Sequence, residues 1–303
     1  MRKQSMSIFY EFLIVIQCCI FGFSFVVLKK LISYDYPTFA IIGYRFLVGA
    51  VALLPICALA PKTTPLALNF NRKSAVCGFI SGFTMLVAYS LQTYGAKYTS
   101  SANNALCTGL YVVFVPFIGM LITKKRNKYL LLAAFISFLG VSLVSGFSFD
   151  GMSFNIGDFL SVMCGFFFAI HFIIMERFTP HVNLSLYTIV QLITVSIISI
   201  FLSSITESNL YNSVQWADGI SWIIFLGVFS TSITYMIQSI AQSKISANVV
   251  SVISCSESLF AVIFSLAFGY AKFSIELLIG SILILASMVF ISLPFLSGIS
   301  HHS

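Results

Sequence analysis

The sequence predicts an all-α polytopic membrane protein whose ten transmembrane helices form two inverted five-helix repeats. Three observations predict this fold: the composition, the length of the apolar runs, and a match between the two halves of the chain. Hydrophobic residues make up 59% of the 303 residues and charged residues 8%, whereas an ordinary soluble domain is about 25% charged. So few charges cannot cover a water-soluble surface, which excludes soluble enzymes, DNA-binding domains and disordered proteins.

The apolar runs are long enough for helices that cross a bilayer. A transmembrane helix needs about 20 consecutive apolar residues, whereas a barrel strand needs about 10 residues that alternate in polarity. The runs here do not alternate and are joined by mostly short connections, so no segment remains for a soluble domain. The predicted spans 1 to 10 are residues 8–28, 37–59, 75–95, 101–121, 129–149, 157–175, 184–205, 220–240, 246–268 and 275–296.

The cysteines and the N-terminus indicate neither a metal site nor a cleaved leader. All seven cysteines lie in predicted spans, and no pair of C-x-x-C motifs occurs. We therefore expect small packing residues, no metal ion and no cofactor. The chain begins Met-Arg-Lys and continues into an apolar run longer than the core of a signal peptide, which favours an uncleaved first helix.

The distribution of basic residues predicts the orientation of the chain. Short cytoplasmic loops are enriched in Lys and Arg, so we expect both termini in the cytoplasm. The cluster at residues 124–128 also resembles a nucleic-acid patch, but the orientation rule explains it, and we expect no nucleic-acid partner. The inner residues are Arg2, Lys3, Lys62, Arg72, Lys73, Lys124, Lys125, Arg126, Lys128, Arg177 and Lys244, and the outer ones are Lys29, Lys30, Lys97 and Lys272.

An internal repeat divides the chain into residues 1–148 and 153–296. Residues 21–30 resemble residues 168–177, and the Ser-Ala-Asn of residues 101–103 recurs at 246–248 with nearly the same offset. Because each half has five spans, an odd number, the second half must be inverted relative to the first. Inverted repeats can exchange conformations, which is the physical basis of alternating access. The repeat therefore predicts a transporter.

Several short stretches carry a resemblance to a known family. They are residues 44–47 (Tyr-Arg-Phe-Leu), 157–160 (Gly-Asp-Phe-Leu) and 226–235, followed by Ser246-Ala247, Glu257-Ser258 and Gly280. With its 5+5 repeat, the chain resembles the EamA branch of the drug/metabolite transporter superfamily over nearly its whole length.

The resemblance implies a function but not a particular substrate. It implies a transporter of amino acids, nucleotide-like metabolites or drugs, commonly outward across the bacterial inner membrane. The chain departs from the family pattern at Ser258, where a proline often follows the glutamate. It departs also at residues 123–124 and 269–270, where the family often has Gly-Glu. These departures leave the subfamily open.

Two charged residues lie clearly inside predicted spans, where a charge is costly and suggests function. Arg45 is suited to anchor a carboxylate or phosphate, because a guanidinium binds such groups with two hydrogen bonds. The alternative is an arginine that snorkels or pairs helices. Glu257 is suited to bind an amine or to carry a coupling proton, and the alternative is a paired or protonated structural acid. The two residues can also pair with each other.

Polar stripes on four spans predict a central cavity at the bilayer midplane. The stripe of span 9 covers half of the helix, and in lipid such a face must turn to the bundle interior or to water. We expect spans 3, 4, 8 and 9 to form the main walls, with spans 1, 2, 6 and 7 moving around them. The alternative is hydrogen bonding between helices. With Arg45 and Glu257, the candidate site residues are Tyr89, Gln92, Asn104, Thr108, Tyr111, His171, Tyr235, Gln238, Ser254 and Ser258.

Two further features have a packing interpretation beside a functional one. His171 in span 6 is a candidate proton relay, and the alternative is a histidine that packs between helices. Gly78 and Gly82 form a G-x-x-x-G pattern, which favours close packing within the bundle or in a dimer. In a ten-helix chain we expect packing within the bundle, and hence a monomer or a weak dimer.

The expected function is secondary transport of a small metabolite, with an amino acid or related compound exported and protons as a candidate coupling ion. No catalytic residue is expected, because the chain lacks G-x-x-x-x-G-K-[ST], H-E-x-x-H and G-x-S-x-G motifs. One alternative is an uptake permease for a nucleotide-like metabolite. The others are a polytopic membrane enzyme that uses an intramembrane acid, and a receptor that does not transport.

Overall fold

Helices account for the regular structure of the part of the chain that the structure describes. The computed structural model describes residues 2–99, 104, 107–124, 128–144, 155–211, 214, 216–268 and 273–292. These ranges contain no strand, in agreement with the all-helical prediction. The helices are α1 Arg2–Ser33, α2 Thr38–Leu59, α3 Arg72–Tyr98, α4 Tyr111–Thr123, α5 Lys128–Val144, α6 Ile156–Phe178, α7 Leu184–Thr206, α8 Trp216–Gly227, α9 Thr234–Gln242, α10 Ala247–Ser254, α11 Ser256–Ala267 and α12 Ile275–Ser292.

Within the described ranges, six helical segments are long and apolar enough to cross a membrane. They are Ile8–Ser33, Thr38–Leu59, Arg72–Tyr98, Ile156–His181, Leu184–Thr206 and Trp216–Gln242. The other four predicted spans coincide with shorter apolar helices, namely Cys107–Ile122, Lys128–Leu143, Ala247–Ala261 and Ile275–Ser287. The membrane character of the chain is therefore clear, while the total of ten crossings stays a prediction.

Polar caps determine where several helices begin. The Asn71 side chain accepts a hydrogen bond from the Ser74 N–H at the start of α3, and Asn183 caps α7 in the same way. Asn155 and Asp158 form a reciprocal capping box at the start of α6. These side chains satisfy main-chain N–H groups that have no partner in the first helical turn. Helix starts therefore lie close to the starts of the predicted spans.

Predicted spans 8 and 9 are interrupted, which corrects their interpretation as single regular helices. A π-helical segment, Val228–Ile233, separates α8 from α9, and Cys255 separates α10 from α11. Other helices bind main-chain carbonyls at both places. The Arg45 guanidinium donates to the Ser230 carbonyl at 3.3 Å, and the Cys18 thiol contacts the Ile253 carbonyl at 3.7 Å. Such interruptions persist because tertiary partners satisfy the freed main-chain groups.

Glycine allows the close approach of α3 to α7. A Cβ atom added to Gly78 would lie 2.6 Å from the Tyr187 carbonyl oxygen, and one added to Gly82 would lie 2.8 Å from that of Gln191. The G-x-x-x-G pattern therefore packs within the bundle, as expected from the sequence. This contact holds α3, which carries two of the candidate site residues, against the centre of the molecule.

Candidate substrate cavity

A central cavity of about 60 Å³ lies among α1, α3, α6, α9, α10, α11 and the start of α4. By the space that one water needs, it has room for about four waters, which is the scale of a small metabolite. The structure adds α1 and α6 to the main walls that we expected from spans 3, 4, 8 and 9. The lining residues are Gln17, Phe21, Phe25, Tyr89, Gln92, Thr108, Gly109, Tyr111, Phe168, Phe172, Tyr235, Gln238, Ser254, Glu257 and Ser258.

Most of the candidate residues come together in this cavity. Nine line it: Tyr89, Gln92, Thr108, Tyr111, Tyr235, Gln238, Ser254, Glu257 and Ser258. They come from helices far apart in the sequence, and each was chosen because it lies on a polar stripe. Arg45, Asn104 and His171 do not line the cavity.

Glu257 is the charged residue of the cavity wall. Its carboxylate forms no hydrogen bond or ion pair with any residue in the described part of the chain, and the direct pair with Arg45 is therefore not formed. The Arg45 charge still lies within electrostatic range of the carboxylate. Because a carboxylate inside a membrane-spanning bundle is costly without a partner, Glu257 is suited to receive a donor or a cation from the cavity.

Arg45 binds the π-helical segment and lies behind the cavity wall. Its guanidinium donates to the Thr231 hydroxyl at 3.1 Å and to the carbonyl and hydroxyl of Ser230 at 3.3 Å. It also lies 5.1 Å from the Tyr89 ring centre and 5.4 Å from that of Phe46, within the range of a cation–π contact. This geometry corresponds to the helix-pairing alternative.

Asn104 and His171 lie in contacts between helices. The Asn104 amide donates to the Gln92 carbonyl at 3.1 Å and to the Ser161 hydroxyl at 2.8 Å, and so joins α3 to α6. His171 Nδ1 lies 3.3 Å from the hydroxyls of Ser81 and Thr84. Its buried Nε2 has no partner in the described structure. Both residues therefore cross-link helices in this conformation.

Aromatic rings form much of the cavity wall. The Tyr235 hydroxyl donates to the Tyr89 hydroxyl at 2.8 Å, and the Tyr89 ring packs edge-on against Phe168 with centroids 5.4 Å apart. Tyr111 packs against Phe172 in the same way at 5.3 Å. Faces of such rings attract cations as well as apolar groups.

Sequence reasoning missed one polar residue of the wall, Gln17, and its aromatic neighbours on α1. The missed residues Gln17, Phe21 and Phe25 are spaced by four positions, which places them on one face of the helix. That spacing was the available signal, and it was hidden because most other positions of the span are also apolar or small. Phe168 and Phe172 repeat the same spacing on α6.

A chain of side-chain amides connects the missed residue to the opposite wall. Gln17 Nε2 donates to Gln238 Oε1 at 3.1 Å. Gln238 Nε2 donates to Gln242 Oε1 at 3.3 Å, and Gln242 Nε2 donates to the Phe172 carbonyl at 3.1 Å. The chain crosses from α1 through α9 to α6 and fixes the orientation of three buried amides.

The relationship to known proteins follows from three comparisons: a family model, related sequences and a solved structure. The model of the EamA-like transporter family matches residues 8–146 and 155–293. The chain belongs to the EamA-like transporter family. This confirms the family resemblance inferred from the sequence, and it identifies a membrane protein of a transporter family.

Relatives of this EamA-like protein are themselves named as transporters. An uncharacterized transporter of Archaeoglobus fulgidus is 28% identical over 71% of this chain and 68% of its own length. The uncharacterized transporter YyaM of Bacillus subtilis is 25% identical over 74% of this chain and 76% of its own. One crystal structure superposes with a TM-score of 0.76 at 15% identity, over 97% of this chain and 98% of that chain, which shows a shared fold. The family and these names point to a transporter rather than an enzyme.

Proposed function

We propose that this EamA-like protein is a secondary transporter that moves a small metabolite across the bacterial inner membrane by alternating access. The central cavity is its substrate site. The observation that carries the proposal is the position of Glu257, a carboxylate without a hydrogen-bond or ion-pair partner among the described residues, in the wall of a cavity at the centre of an apolar helical bundle. An ionisable group in such a place is costly and is characteristic of substrate and ion pathways.

The helix contacts support two inverted halves at residues 1–148 and 153–296. Exchanging spans 1–5 with spans 6–10 replaces each helix by its counterpart in the other half. The contact of α3 with α6 then corresponds to the contact of α8 and α9 with α1. The contact of α4 with α6 corresponds to the contact of α11 with α1. α2 packs on its counterpart α7, and α5 packs on its counterpart α12. At this last contact the Ser137 and Ser287 hydroxyls lie 2.6 Å apart.

Such an arrangement supports an alternating-access cycle. If the two halves adopt related but unequal conformations, exchanging those conformations opens the cavity to the other side of the membrane. The interruptions at Val228–Ile233 and Cys255 lie beside the cavity residues Tyr235 and Glu257. Discontinuous helices at the midplane are a common feature of substrate sites in transporters. We assign the conformational change of span 8 to the first interruption and that of span 9 to the second.

The charges of the wall favour an amino acid or related amine over a nucleotide-like metabolite. Its charged group is acidic, and the described lining residues include no basic side chain to bind a phosphate. Export is the direction that the family resemblance implies, and uptake is the second candidate. The same proposal includes proton coupling through Glu257. It also places both termini of the chain in the cytoplasm. Gly78 and Gly82 pack α3 against α7 within the bundle, which supports a monomer.

Counterflow in proteoliposomes tests the proposal. Vesicles are loaded with unlabelled amino acids or with unlabelled nucleoside monophosphates, and a labelled member of the same class is added outside. Transient accumulation of labelled amino acid, without accumulation of nucleotide, is the expected result. Accumulation of nucleotide alone would contradict the substrate class, and turnover of a compound without its movement would favour a membrane enzyme instead.

A further inference from the structure

We propose that Gln17 and Glu257 form a subsite for a protonated primary amine of the substrate. The side-chain oxygen of Gln17 accepts one N–H group, and the Glu257 carboxylate accepts a second and neutralises the charge. The inference rests on the proposed function of the cavity and names its substrate class. Both residues line the cavity, and they lie on helices α1 and α11, which pack together.

The chain of amides determines which atom of Gln17 remains available. An isolated glutamine amide can be placed in two orientations, so its orientation must come from its partners. The Phe172 carbonyl only accepts hydrogen bonds, and Gln242 must therefore present its NH₂ group there. Gln242 Oε1 then accepts from Gln238, and Gln238 Oε1 accepts from the NH₂ group of Gln17. The free end of the chain is Gln17 Oε1, which is an acceptor.

This acceptor is buried and has no hydrogen-bond partner among the residues that the structure describes. Gln17 is 2% exposed, and its Oε1 forms no hydrogen bond within the described residues. Leaving a buried carbonyl oxygen without a donor costs free energy, and buried polar atoms are therefore almost always paired. Because Gln17 lines the cavity, a donor bound in the cavity would relieve this cost.

The second acceptor of the subsite is Glu257, about one helical turn away from the level of Gln17. Cys18 contacts the Ile253 carbonyl, and Gly22 packs against Phe260. Helix α1 therefore runs beside span 9, which consists of α10 and α11, in the same direction. In that register Gln17 lies near the level of Ser254, and Glu257 follows by one turn. An ammonium group carries three N–H donors and a positive charge, which matches one neutral and one anionic acceptor at this separation.

An aromatic cage is the competing interpretation of the same cavity. Phe21, Phe25, Tyr89 and Tyr235 would attract a quaternary ammonium through their ring faces, without any N–H donor. The two interpretations differ in one chemical requirement. A subsite made of Gln17 and Glu257 needs N–H groups, whereas a cage needs only positive charge and apolar surface.

Ligand binding by the purified full-length protein tests the subsite independently of transport. The two probes are phenethylamine and its N,N,N-trimethyl derivative, which share the ring and the charge but differ in N–H donors. We expect the unmodified protein to bind phenethylamine about tenfold more tightly or better, the effect of one charge-assisted hydrogen bond. Gln17→Leu should reduce that preference, because only the Glu257 acceptor remains, and leave binding of the trimethyl probe nearly unchanged.

Gln191→Leu is the matched control. Gln191 is also fully buried with an unpartnered Oε1, but it does not line the cavity, so the preference for phenethylamine should persist. If Gln17→Leu fails to fold, Gln17→Met offers a side chain of similar length without the amide oxygen.

Two outcomes would overturn the subsite. One is equal affinity for both probes in the unmodified protein, and the other is an unchanged preference in a folded Gln17 variant. Either result would leave the proposed transport function standing if counterflow succeeds. Conversely, failed counterflow with a Gln17-dependent preference would contradict transport but retain the amine subsite.

Discussion

The packing of α3 on α7 predicts a measurable cost for the substitution Gly82→Ala. The added Cβ would lie 2.8 Å from the Gln191 carbonyl oxygen, 2.8 Å from Thr194 Cβ and 3.1 Å from Gln191 Cα. Main-chain and Cβ atoms cannot swing away, so the two helices must separate. Overpacking of this kind costs about 1–3 kcal/mol. Alanine also favours the helix over glycine by about 1 kcal/mol, which would conceal part of the cost.

The substitution Gly119→Ala separates these two effects. A Cβ at Gly119 meets no atom of the described residues within 4 Å, so we expect the gain in helix propensity to dominate there. The difference between the two variants is therefore the packing cost, and we expect Gly82→Ala to be less stable by about 1–3 kcal/mol. The assay is unfolding by SDS in mixed micelles, followed by helical circular dichroism. Equal free energies of unfolding, within about 0.5 kcal/mol, would refute the packing argument.

Two further predictions concern hydrogen bonds that join helices. Arg45→Met should lower the maximal rate of counterflow more than Arg45→Lys, with little change in apparent KM, because Arg45 binds the π-helical segment outside the cavity. A raised KM at unchanged maximal rate would instead favour a role of Arg45 as a substrate anchor. Glu207 accepts from the Phe39 N–H and the Ser203 hydroxyl, both at 2.9 Å. Glu207→Ala should therefore lower the free energy of unfolding in SDS by about 1–3 kcal/mol. Glu207→Gln should lower it less, because the amide oxygen still accepts hydrogen bonds. Equal losses of stability in the two variants would contradict this.

Composition and helical periodicity predicted the parts of the fold that depend on single helices. Runs of apolar residues determined where the helices lie, because a bilayer leaves the main chain few other ways to satisfy its hydrogen bonds. The polar stripes identified residues such as Tyr89 and Glu257, which share the cavity, because one face of each helix must turn away from lipid.

The interruptions of spans 8 and 9 depend on other helices and were not predictable from local sequence. No proline lies in residues 228–233 or 247–267 to signal a break. The π-helical segment is bound by Arg45 from α2, and the break at Cys255 is accompanied by a contact of Cys18 from α1. A periodicity argument made within one span contains no information on such partners.

The position of Arg45 and the role of Gln17 show the same limit. Charge alone marked Arg45 as a candidate, but its partners in the π-helical segment decide that it lies behind the wall. Gln17 carries no charge and stands beside Cys18 and Cys19 in an apolar run, so its spacing from Phe21 and Phe25 did not stand out. Its importance arises from Gln238 and Gln242, more than 200 positions later in the chain.

The central claim is that the cavity containing Glu257 is the substrate site of a transporter. The most direct measurement is counterflow of labelled amino acids with Glu257→Gln, using Glu276→Gln as the matched control. Glu276 is exposed and lies outside the cavity. The account predicts loss of accumulation by about tenfold or more in folded Glu257→Gln and parental accumulation in Glu276→Gln. Parental accumulation in folded Glu257→Gln would contradict it.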